Sequence, residues 1–156
     1  MFDYKGSLIS IKNNTLWKQF AGDYLSFFGV DKPYSIELLC SENPLEDKTF
    51  TNFEFKADVF NNNTPVTEAY NLTTANVLPF DKIRAWNEYQ NTGEVDLIKT
   101  LGIANISQKF RIWRGDIPRA YNSMDRIRNN WMKLKFKKTS GVNYKTIIHN
   151  VSVSYV

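Results

Sequence analysis

The sequence predicts an all-β fold: a single antiparallel β-sandwich, jelly-roll-like, spanning residues 1–156 and carrying one or two short helical turns. Three observations lead there. Hydrophobicity alternates with period two in segment after segment, most cleanly at 53–60 (FEFKADVF), where Phe53, Phe55, Ala57 and Val59 share one face and Glu54, Lys56 and Asp58 the other. Pro, Gly and Asn punctuate these segments at short intervals. Helical periodicity is scarce, and a succession of short strands suits two packed sheets better than α/β layering.

Taken in order, the first candidate element is a short helix at 14–20. Strands follow at 34–40, 53–60, 83–89, 110–113, 131–138 and 146–155, all rich in β-branched and aromatic residues. Turns are expected at 29–33 (GVDKP), 41–44 (SENP), 61–65 (NNNTP), 91–93 (NTG) and 139–141 (TSG). The TSG turn is expected to close a terminal hairpin. On its first strand Met132, Leu134 and Phe136 oppose Trp131, Lys133, Lys135 and Lys137; on its last, Ile147, His149, Val151, Val153 and Tyr155 share one face. A second helical turn is expected at 123–128, with Ser123 as its cap.

At 156 residues with 42% hydrophobic and 23% charged side chains, the chain is long enough to bury a core without covalent staples. The single cysteine, Cys40, allows no internal disulfide, and no apolar run is long enough for a spanning helix, so no membrane anchor is expected. The start MFDYKGSLIS lacks the basic-then-apolar layout of a secretory signal. Sequons at Asn13, Asn62, Asn71, Asn105 and Asn150 matter only in a secretory pathway, and an Asn-rich chain acquires them by chance.

Catalytic signals are weak. One histidine, His149, rules out a His pair within the chain, and its place among apolar strand residues reads as a core or interface side chain rather than a base for Cys40. No GxSxG, HExxH, P-loop or GxGxxG pattern occurs. The acidic pairs Glu46-Asp47 and Glu94/Asp96 lie in expected turns, where carboxylates are usually solvated or capping. Asp31, Glu46 and Asp47 lack the spacing of an EF-hand calcium loop. Arg114-Gly115-Asp116 invites an adhesion reading, but Arg114 belongs to a series of arginines and Gly115 can simply turn the backbone.

That series is the informative feature. Residues 107–149 carry eleven Lys/Arg against two Asp/Glu, net +9, while 1–106 carry nine against fourteen, net −5. Arg111, Arg114, Arg119, Arg126 and Arg128, with Trp113, Tyr121 and Trp131, supply forked cations and rings. The block reads as a solvated face, as a subunit contact using forked pairs to carboxylates, or as a nucleic-acid surface.

The wording of this block carries a resemblance. The run FFGVDKPYSIELLCSENPLEDKTFTNFEFKADVF, then FDKIRAWNEYQNTG, then FRIWRGDIPRAYNSMDRIRNNWMKLKF resembles the C-terminal region of the large tail protein of crAss-like bacteriophages, a family termed stabilization, muzzle or nozzle proteins. The most specific part is carried by Ile112, Trp113, Arg114, Ile117, Pro118, Arg119, Asp125, Arg126, Ile127, Arg128, Asn129 and Trp131; Asn130 stands where the pattern expects Pro. The resemblance implies a terminal module of a larger, non-catalytic virion protein made in the bacterial cytoplasm. It implies partners in copies of itself in a ring and in other tail proteins, transient contact with DNA, and no cofactor. Arg111, Trp113, Arg114, Arg119, Asp125, Arg126, Arg128 and Trp131 are then the expected fastening or subunit contacts. The alternative reading is a β-sandwich binding module for cell-surface glycan, stacking sugars on Trp86 and Tyr89, or for nucleic acid.

Overall fold

One long alternating strand organises the rest. In the computed structural model, which describes residues 1–22, 26–61, 64–65, 78–97, 105–139 and 144–156, the strand Lys48–Asn61 buries Phe50, Phe53, Phe55, Ala57 and Val59 to 2% exposure or less while Glu54, Lys56 and Asp58 point outward. In chain order the strands are β1 (Phe2–Tyr4), β2 (Ser7–Lys12), β3 (Thr15–Lys18), β4 (Ser26–Phe27), β5 (Val30–Asp31), β6 (Tyr34–Cys40), β7 (Lys48–Asn61), β8 (Thr64–Pro65), β9 (Lys82–Trp86), β10 (Val95–Asp96), β11 (Ser107–Lys109), β12 (Ile112–Asp116), β13 (Arg128–Asn129), β14 (Met132–Lys138) and β15 (Tyr144–Tyr155). Among the described residues every pairing between them is antiparallel.

Two sheets face each other across the core. One has the order β10-β9-β14-β6; the other is built on β7, with β12, β13, β15 and β8 pairing to it and β11 pairing to β12. Phe136 of β14 meets Phe53 and Phe55 of β7 with ring centroids 5.2 and 5.4 Å apart, and Phe80 closes the group against Phe55 and Phe136 at 5.4 and 5.1 Å. Trp113 stacks on Phe55 and donates its indole N–H to the Ala57 carbonyl, so its one polar atom is satisfied inside the core. Antiparallel sheets stacked through such inner faces make a sandwich.

The expected helices are absent among the described residues. At 14–20 the chain forms β3 instead, because Asn13 and Asn14 take φ of 52° and 58° and close a two-residue hairpin with β2. Lys5-Gly6, Phe28-Gly29 and Phe110-Arg111 do the same between β1 and β2, β4 and β5, and β11 and β12. Positive φ at both central residues matches the twist of the flanking strands, and Asn and Gly tolerate it best. At 123–128 the Ser123 hydroxyl accepts the Asp125 N–H, yet Met124 turns to φ 60° and the single turn ends there.

The terminal hairpin is also overturned. β14 pairs with β6 and β9, whereas β15 pairs with β7, so the link between them crosses from one sheet to the other. Alternation looks the same in either connection; Ser140 and Gly141 of the expected turn lie outside the described residues. On β15 a register shift between Ile148 and Asn150 reverses the faces. Ile148, Val151 and Val153 pack toward the core while Ile147 and His149 are exposed, so His149 is not a core residue. Among the described residues none before Tyr34 belongs to the buried cluster, and Phe2, Tyr4, Ile11, Leu16 and Phe20 are exposed.

Gly115 does not turn the backbone. It lies within β12 opposite Phe53, and a Cβ there would run into the Asn105 carbonyl and the Phe53 ring. Gly115→Ala is expected to lower stability by about 1–3 kcal/mol through overpacking, read by urea denaturation; an unchanged midpoint would contradict this contact.

The inward face of β14 ends on Lys138, which is 1% exposed and donates from Nζ to the Leu78 carbonyl at 2.6 Å. Burial pulls its pKa down from 10.5 to about 8, opposed in part by the carboxylate of Asp81. That carboxylate accepts the N–H and hydroxyl of Thr139. Between pH 8 and 10.5 the unfolded chain binds the extra proton, so this group's contribution makes stability rise with pH, by up to about 3 kcal/mol. Lys138→Met should remove that slope: unfolding free energies measured at pH 7 and pH 10 should show the native chain gaining on the variant.

Candidate functional site

The arginine-rich segment threads β12, a loop and β13 along β7, and its alternation sorts the side chains. Trp113 faces inward and is fully buried; Arg111 and Arg114 face outward over the acidic face of β7. Arg111 pairs through Nε and a terminal nitrogen with both oxygens of Asp58. His149, brought outward by the β15 bulge, places Nε2 2.8 Å from the same carboxylate and 3.2 Å from Arg111. Arg114 lies directly across from Glu54 in the ladder, and its Nε donates to Oε2 at 2.5 Å. Two of the expected subunit contacts are thus pairs within the chain, in the cross-strand geometry that stabilises sheets.

The other three arginines differ. Arg119, Arg126 and Arg128 are exposed, and among the described residues none has a carboxylate within ion-pairing distance. Arg119 donates to the Met124 carbonyl at 3.1 Å. Asp125 is exposed, its carbonyl accepting the Ala120 N–H, and Trp131 is half-buried. The backbone of this loop is held from the opposite sheet: Gln90 accepts the Arg128 N–H and donates to the Arg126 carbonyl, and Asn87 donates to the Arg128 carbonyl. Sequence reasoning missed Gln90 and Asn87. Asn87 heads an Asx turn that accepts the N–H groups of Tyr89 and Gln90, which was the available signal.

Arg114, Arg119 and Arg126 converge on a cleft of about 520 Å³. Its floor is apolar, from Ile83, Leu97, Ile106 and Ile117, each at most 2% exposed, with Val95 beside them. Asp116 also lines it and accepts the Asn52 amide at 2.7 Å. In the Arg-Gly-Asp tripeptide, then, both charged side chains are engaged across β7, and the tripeptide lies in a strand rather than at a loop tip.

Other candidates from the sequence are not assembled into a site. Cys40 is half-buried on β6 and burial raises its thiol pKa, while His149 sits on the outer face of β15. Glu94 pairs with Lys137 and Asp96 with Lys82; Glu46 and Asp47 occupy an exposed loop, and the Asp31 side chain lies outside the described residues, as do Asn62 and Asn71. No group of three His, Cys, Asp or Glu side chains able to hold a metal occurs among the described residues. Trp86 is half-buried, with Arg84 4.9 Å and Lys133 6.0 Å from its ring centre, which leaves Tyr89 as the exposed ring of that pair. Among the described residues no helix is long and apolar enough to cross a membrane.

The Arg111 guanidinium, then the His149 ring, hold the Asp58 carboxyl below the usual carboxylate range despite partial desolvation. A lowered folded pKa means a contribution fully present above the unfolded value near ~4 and lost as pH falls through the folded one. Denaturant melts of the native chain between pH 6 and 2.5 should therefore lose stability faster than those of Asp58→Asn; parallel acid limbs would show that this carboxylate contributes nothing.

Comparison with known proteins bears on the whole arrangement. Residues 22–120, which take in β4 to β12 and the cleft lining as far as Arg119, match the family described as the Crassvirus muzzle protein C-terminal domain. The chain is also 38% identical over 157 aligned residues to the muzzle protein of Bacteroides phage crAss001, a match that takes in 99% of this chain and 11% of that protein. The chain thus spans about a tenth of the length of this curated relative. With more than half of its residues inside the family match, including the paired and unpaired arginines as far as Arg119, the chain belongs to the Crassvirus muzzle protein C-terminal domain family.

Proposed function

We propose that this chain is a single structural module of a phage tail, working by assembly with copies of itself and with other tail proteins rather than by turnover. The observation that carries the reading is the division of the arginine series. Arg111 and Arg114 are spent on β7 carboxylates, whereas Arg119, Arg126 and Arg128 are exposed with no carboxylate partner among the described residues, the backbone of the last two clamped by Gln90 and Asn87. Rigidly presented, unneutralised guanidiniums suit forked recognition of a partner's carboxylates at an interface. Family membership supports reading that surface as part of a virion protein, where closure of the tail and passing contact with DNA are further roles within the same proposal.

The expected outcome separates the two classes of arginine. Arg126→Glu with Arg128→Glu should leave the melting temperature within a few degrees of native but block incorporation into tails. Arg114→Glu, which sets like charge against Glu54, should instead lower stability, by about 1 kcal/mol or less for so exposed a pair. Particle assembly with the Arg126/Arg128 variant at native yield would defeat the proposal. If phosphate contact were the main role, binding to single-stranded DNA would fall steeply from 50 to 200 mM salt.

A further inference from the structure

We propose that the basic cleft on one lateral edge of the sandwich receives the acidic 41–47 loop of a second copy of this chain, with Leu45 seated against Val95 and Pro118, the half-buried apolar residues of its lining. The proposal rests on the assembly reading above and names its contact.

The cleft and the loop lie on opposite flanks. β12 and β15 both pair with β7 over residues 52–56, so they must occupy its two sides. The cleft opens between β9–β10 of one sheet and β11–β12 of the other. On the far side β6 and β15 are the outer strands, and residues 38–42 and 151–155 line a separate opening there. The 41–47 loop continues from β6 on that far flank and leads into the start of β7. The cleft loop meets the same end of β7, with Asp116 opposite Asn52 and the Phe50 N–H bonded to the Ile127 carbonyl. Contact between opposite flanks of neighbouring copies is head-to-tail, the geometry that closes rings or extends filaments.

Chemistry matches across the two surfaces. The loop reads Ser-Glu-Asn-Pro-Leu-Glu-Asp, three acids and no base, and Glu46 and Asp47 have no cationic partner within ion-pairing distance among the described residues. Leu45, immediately before them, is 94% exposed. The loop is fixed rather than loose: Asn130 donates to the Pro44 carbonyl at 2.9 Å, Lys48 to the Asn43 carbonyl at 2.6 Å, and the Glu46 N–H to the same oxygen at 3.3 Å. The cleft offers the complement: Arg119 and Arg126, without carboxylate partners among the described residues, beside Arg114 already paired with Glu54 and the single acid Asp116. An exposed leucine followed by two acids, facing a cleft rimmed by unpaired arginines, provides an apolar contact and charge registry.

The test uses charge exchange in the protein as encoded in the phage. Glu46→Lys with Asp47→Lys, Leu45→Asp, and Arg119→Glu with Arg126→Glu should each weaken self-association at least tenfold in sedimentation equilibrium. Combining the loop and cleft reversals should restore it. With Cys40→Ser, the pair Leu45→Cys and Arg126→Cys should give an intermolecular disulfide ladder under oxidation. The contact is overturned if the loop variants associate as the native protein does, if the combined reversal is no better than its parts, or if no ladder forms. Loss of this contact while native protein still associates leaves the assembly reading standing. Native protein that stays monomeric at every concentration and is missing from purified virions sinks both.

Discussion

Contact between the inner face of β7 and the ring of Phe136 is the constraint on which the remaining structure depends. Phe53 and Phe55 project from one sheet, Phe136 from the other, and Phe80 and Trp113 complete the group with ring centroids about 5 to 6 Å apart. Aromatic side chains bury the most area per residue, so a small number of them can hold two sheets together in a chain with no disulfide. Because β7 is both the richest aromatic strand and the one to which β8, β12, β13 and β15 pair, its orientation fixes theirs.

The outer face of β7 follows from the same alternation. If the aromatic residues are inward, Glu54 and Asp58 must be outward, and strands laid beside them meet carboxylates at fixed intervals. β12 supplies Arg114 and the turn before it supplies Arg111; β15 adds His149 through its bulge. The charge opposition between the two halves of the sequence is therefore partly consumed inside one sheet. What is left over, at Arg119 and Arg126, at Arg128 on the short β13 and at Glu46 and Asp47 of the 41–47 loop, has no ion-pair partner among the described residues.

Individual elements show how far local pattern carries. The alternation at 53–60 and 131–138 reports burial residue by residue, because a strand between core and solvent has period two regardless of its neighbours. The Asn13-Asn14 pair carried a hairpin signal that the sparse apolar residues of 14–20 obscured, and so a strand read as a helix. His149 read as a core or interface side chain, and its place in the core fails because one bulge, invisible in the pattern, shifts the faces of β15. The likeness to crAss-like tail proteins was legible in the Arg/Trp wording itself, and the family match bears it out.

By itself, then, the sequence determined the class of fold, the aromatic core positions on β7 and β14, the lone cysteine, the opposed charges and the family. Each depends only on residue type and local spacing. Tertiary structure alone decided which strands share a sheet, that β14 and β15 part company rather than form a hairpin, and which arginines are spent on Asp58 and Glu54. Those outcomes depend on pairings between residues some 50 to 100 positions apart, and a period-two pattern contains no information about the partner it will meet.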